Sequence, residues 1–141
     1  MLKVLNGALV FLLIIGLLSC SSNRVDNEEL KEEVISIHDE VMPKMGELKS
    51  LQKEFSQKAQ QLTLEDSVAH KEEVKELKNV AQELEQAYEG MFEWMRQFEV
   101  DFQDMTEEEV TQYLNEQKEK VKQVNKSIKE ALEKAEKLKS E

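Results

Sequence analysis

From Val74 to Phe102 the apolar residues Val74, Leu77, Ala81, Leu84, Tyr88, Met91, Met95, Phe98 and Phe102 follow one another in alternating steps of three and four. That spacing returns to one side of a helix with 3.6 residues per turn and cannot face one side of a strand, where every second residue does. Val80, Ala87 and Trp94 widen the stripe enough to pack against two helices. The same stepping runs through Leu30, Val34, Ile37, Val41, Met45, Leu48, Leu51 or Gln52, Phe55, Ala59 and Leu62. It returns in Val110, Leu114, Gln117, Val121, Val124, Ile128, Leu132, Ala135 and Leu138. Only 4 glycines and 1 proline interrupt a chain of 141 residues, a composition suited to long helices.

Capping signals divide the pattern into helices over 27–62, 65–103 and 107–139. Asp26 with Glu29 reads as a capping box, Thr63 as the cap of a connector running to Asp66, and Thr106 with Glu109 as a second box. Met105 and Val110 sit where a hydrophobic staple joins a helix start. Pro43 has no N–H and crowds the carbonyl of Asp39, so a kink is expected between them. His70 reads as a partly solvated boundary residue. Glu116 with Lys120, Glu130 with Lys134 and Glu133 with Lys137 have the spacing of exposed ion pairs on one helix. Connectors of about three residues make neighbouring helices antiparallel. The expected fold is all-α: an up-down-up three-helix bundle over 26–141, roughly 50 to 55 Å long at 1.5 Å per residue, with a monomeric soluble domain. An extended dimeric or trimeric coiled coil is the competing fold, disfavoured by Pro43 and the short connectors.

The first twenty residues are of a different kind. Lys3 precedes an apolar run from Ala8 to Ile15 that ends at Gly16-Leu17-Leu18-Ser19-Cys20. The run is shorter than the roughly 20 residues a spanning helix needs and stops at small residues, the pattern of a signal peptide over 1–19. Leu17-Leu18-Ser19-Cys20 resembles the lipobox of bacterial lipoproteins, in which the cysteine is acylated and becomes the mature N-terminus. Cys20 is the only cysteine, with no partner for a disulfide. Several acyl chains on it would anchor the protein lastingly to a membrane, with 20–25 as the lipidated cysteine and tether.

Removing residues 1–19 leaves 122 residues and takes away Lys3, moving the formal net charge from −11 to −12. A chain this acidic is repelled by nucleic acid. It contains no glycine-rich phosphate loop, zinc-type Cys/His spacing or nucleophile elbow. Asp39 and Glu40 are adjacent on a helix and diverge by about 100°, so they cannot flank one substrate as acid and base. The chain is expected not to be an enzyme and to need no cofactor.

His38-Asp39-Glu40-Val41-Met42-Pro43 and Met91-Phe92-Glu93-Trp94-Met95 are the unusual stretches. Folding back about the expected connector sets His38 level with Met91. His38, Met42, Met91 and Met95 then form a soft donor set suited to Cu(I), with Trp94 as an adjacent shield. The competing reading, which leads, is packing: methionine is an adaptable core filler around a kink, and a histidine beside a helix break commonly bonds to freed carbonyls. Haem is remoter still, since no Cys-x-x-Cys-His motif is present.

Ile37 to Gly46, the Met91 to Met95 block and the lipobox together resemble a family of small Bacteroidota lipoproteins whose members carry the label "viral A-type inclusion protein". The resemblance implies export, a small helical domain and no stated activity. It also implies an outer-membrane location, since Ser21 stands where an acidic residue would favour inner-membrane retention. The expected function is therefore a non-catalytic envelope lipoprotein that binds or braces a protein partner, with a Cu(I)-binding protein as the alternative. Cys20→Ser should yield a full-length precursor that no fatty-acid probe labels; a labelled, shortened product would exclude lipidation at this cysteine.

Overall fold

The computed structural model describes residues 22–140, with side chains from Asn27 onward; the expected signal peptide over 1–19, Cys20 and Ser21 lie outside the described residues. The described chain is an all-α bundle of three helices. The first is divided into α1 (Ser22–Val41) and α2 (Met45–Asp66) by a 3-10 turn, Met42–Lys44; α3 is Lys71–Gln97 and α4 is Glu107–Ser140. Among the described residues no helix is long and apolar enough to cross a membrane.

The apolar stripes become the core. Val34, Val41, Leu48, Leu77, Leu84, Met91, Leu114, Val121 and Ile128 are fully buried. Each such side chain contributes about 1.5 to 3 kcal/mol through burial, which holds together helices whose exposed faces are strongly charged. Pairs between α1 or α2 and α4 keep a nearly constant separation in sequence, Asn27 with Glu107, Glu33 with Lys118, Glu40 with Lys129 and Glu54 with Lys139. A constant separation means the helices run parallel. Between α3 and α4 the separation instead widens from Trp94 with Gln117 to Glu83 with Lys134, so these two are antiparallel.

Pro43 stands in the first turn of the 3-10 segment, where a missing N–H costs little. The break also separates two packing jobs: α1 lies mainly against α4, whereas α2 lies mainly against α3. Bundle length follows the first helix, whose α1 and α2 together span about 65 to 70 Å at 1.5 Å per residue, longer than the sequence suggested.

Several boundaries differ from the sequence reading. The chain is already helical at Ser22, the first described residue, so the described part of the expected tether is helical and Asp26 lies inside a helix instead of capping one. Thr63 is likewise internal, its hydroxyl donating to the Ala59 carbonyl at 2.7 Å. The turn comes four residues later and is closed by Asp66, whose Oδ1 accepts from the N–H groups of Val68 (3.0 Å) and Ala69 (2.9 Å). These bonds hold the Asp66 carboxyl below the usual carboxylate range. His70 precedes α3, half-buried as expected, with Nδ1 3.7 Å from Glu73. On α4, Lys134 reaches across to Glu83 at 2.6 Å, and Glu130 is met by Lys126 from the preceding turn. Both members of the expected Glu130 and Lys134 pair thus take other partners.

The largest departure is the end of α3, at Gln97 instead of near 103. Phe98 turns extended (φ −78°, ψ 114°), and residues 98–106 form a strap over the end of the bundle that α3 does not reach. Freed from the helix, the Glu99 N–H donates to the Tyr113 hydroxyl at 2.6 Å. Lys31 donates to the Val100 carbonyl at 3.3 Å and lies over the Phe102 ring, 5.3 Å from its centroid. Phe98 and Phe102 thus still cover apolar surface, but as a strap.

The Thr106 box forms as its sequence implies. Glu109 accepts from both the N–H and the hydroxyl of Thr106 at 2.8 Å, and the Glu109 N–H donates back to that hydroxyl at 3.3 Å. The two donations from Thr106 hold the Glu109 carboxyl below its usual range. Thr106→Ala should cost about 1 kcal/mol, read as a lower urea midpoint at neutral pH. A carboxyl held low in the folded state stabilises above its unfolded pKa, and that contribution fades as pH falls through the folded value. The gap between wild type and variant should therefore narrow in acid below the carboxylate range; an unchanged neutral-pH midpoint would show that the cap contributes nothing.

Candidate functional site

Where α3 ends, rings from three helices and the strap meet. His38 of α1 lies 5.6 Å, centroid to centroid, from Trp94 of α3, and Trp94 stacks on Phe98 of the strap at 5.0 Å. Phe98 and Phe102 each approach Tyr113 of α4, at 6.2 and 5.8 Å. Burial pushes the Tyr113 phenol up, against the opposing bond from the Glu99 N–H. Stacked and tilted rings at these distances add attraction beyond the area they bury.

Polar partners hold this cluster in place. The buried Trp94 Nε1–H donates to Gln117 Oε1 at 3.0 Å. The buried Asn125 amide donates to the Ile37 carbonyl and to Glu40 Oε2, both at 2.9 Å. Glu40 also accepts from Lys129 at 2.6 Å, and the lysine and the amide together keep its carboxyl below the usual range. At the end where α1 begins, Asn27 donates to the Glu107 backbone at 3.0 Å and accepts from Thr111 at 2.6 Å. A cleft of about 340 Å³ opens beside it, lined in part by Lys31, Phe102, Met105 and Val110.

The later turn changes which residues face one another. His38 meets Trp94, not Met91, and Met42 moves level with Met91. Met91 is wholly buried in the core and Met42 is half-buried against it, whereas Met95 remains 38 % exposed. His38 bonds to no freed carbonyl: its Nδ1 lies 2.8 Å from Asp39 Oδ1. Cys20 lies outside the described residues. Among those described, no three His, Cys, Asp or Glu side chains gather as a metal-binding group.

Sequence reasoning placed Gln117 on the α4 seam without giving it a role, and missed Asn27, Tyr113 and Asn125. Asn125 follows Val124 and falls one residue off the apolar stripe; the available signal was an uncharged amide at a position packing between Val121 and Ile128. Compared with known proteins, the chain matches no family model, no curated protein and no solved structure. Gln117→Leu should leave the buried Trp94 N–H unpaired, costing about 1 to 3 kcal/mol and shifting the emission of this sole tryptophan. Unchanged stability and an unchanged spectrum would show that the bond does not hold the ring.

Proposed function

We propose that this chain is a non-catalytic lipoprotein of the cell envelope, processed before Cys20, anchored by acyl chains in the outer membrane, that binds or braces a protein partner with its helical rod. The observation that carries the reading is the sequence Leu17-Leu18-Ser19-Cys20 closing the apolar run that starts at Ala8. The rod is helical from Ser22, the first described residue.

Its far end is the turn between α2 and α3, about 65 to 70 Å of helix away. There Leu64 and Val68 are 81 % and 83 % exposed, the most exposed large apolar side chains among the described residues. Together they form the contact point offered to a partner. The net charge of −11 and the absence of a basic stripe in the sequence argue against nucleic acid. Polar strapping of the proximal end and a core filled from within fit a monomer. The family resemblance carried by Ile37 to Gly46 agrees with export to this location.

A photoreactive residue in place of Val68 should give one discrete cross-linked envelope protein in living cells. The same probe at the exposed Glu47, midway along the rod, should not. Adducts of equal pattern at both positions, or none at Val68, would overturn the tip as the contact point.

A further inference from the structure

Among the described residues, one buried side-chain nitrogen or oxygen lacks a hydrogen-bond partner: His38 Nε2. Leaving such an atom unpaired costs about 1 to 3 kcal/mol, and native structures avoid it unless something else occupies the position. The opposite ring nitrogen is committed. Nδ1 lies 2.8 Å from Asp39 Oδ1, and since a carboxylate only accepts, Nδ1 carries a proton, so that in the neutral imidazole Nε2 presents a bare lone pair. Carboxylates orient metal-binding imidazoles in this way.

The groups that helical spacing brings toward that ring are chemically soft. The Trp94 ring stands 5.6 Å from the imidazole and is itself held by Gln117. Met42 lies four residues beyond His38 and half-buried, and Met91 lies one turn from Trp94, wholly buried. Hard cations such as calcium and magnesium require several oxygen donors, and structural zinc takes four imidazole, thiolate or carboxylate ligands. One imidazole, a thioether and the electron-rich face of an indole instead suit a soft monovalent cation.

We infer that His38 Nε2, together with the Met42 thioether, binds a Cu(I) ion against the face of Trp94. This departs from the donor set expected from the sequence, in which the exposed Met95 was a ligand. It is also independent of what the tip of the rod contacts.

Full-length protein in detergent, held anaerobic with a reductant, is titrated with Cu(I) in competition with a chromophoric Cu(I) chelator while Trp94 emission is followed. The expected result is one equivalent captured with a saturable change in emission, reproduced by Ag(I). His38→Gln and Met42→Leu should each weaken capture at least tenfold while circular dichroism stays helical. If His38→Gln loses helix, Met42→Leu decides alone. A chelator that keeps all the Cu(I) at one equivalent, or capture that survives the substitutions in folded protein, overturns the site.

Discussion

Asn125 sits in the packed face of α4 and donates both amide hydrogens to α1, to the Ile37 carbonyl and the Glu40 carboxylate. Apolar stripes alone let two parallel helices slide by a turn at small cost, because a leucine or valine accepts several neighbours. A buried amide does not, since leaving it unpaired costs more than one hydrogen bond returns. The bond therefore fixes α4 against α1, and Lys118 with Glu33 and Lys139 with Glu54 repeat the same offset along the rod. These exposed ion pairs follow the register more than they create it, each being worth little alone.

With that offset set, α3 covers only part of the long first helix. It runs past the Pro43 break to the level of Trp94 with His38 and ends at Gln97, about one turn further on, so α2 has α3 as its main neighbour and α1 has α4. A straight helix would have to satisfy both packing directions with one axis; a 3-10 turn at Met42–Lys44 lets the two halves adjust separately. The uncovered end is closed by the strap, pinned by Tyr113, Lys31 and the stacked Trp94 and Phe98 rings. Helix end, strap and aromatic cluster thus occur together at one level of the rod, on the α1 side of the break.

That level is also where the chemistry concentrates. A rod whose surface is mostly charged carries at one place a carboxylate-oriented imidazole, a locked indole and two methionines, and at its far tip two bare apolar side chains. The first suits a small soft ligand and the second a protein surface. The two lie at different heights, so each can be altered without disturbing the other.

Strict three-and-four stepping of apolar residues determined by itself that the chain is helical, that three helices pack together, and which side chains fill the core, because burying a continuous stripe dominates the energy. The Thr106 and Glu109 box and the interruption at Pro43 were legible for the same local reason: a cap and a missing N–H act within one turn of chain. Only the tertiary structure decided the end of α3. Phe98 and Phe102 continue the helical stripe without a flaw, yet unwinding lets them cover a neighbour that a straight helix would miss while Tyr113 repays the freed Glu99 N–H. The turn at Ser67 to His70 was hidden likewise, since Thr63 can cap a helix or bond back to Ala59 within one, and its own residues favour neither. Those four residues moved His38 from Met91 to Trp94: facing positions depend on where a chain reverses, which side-chain periodicity does not encode.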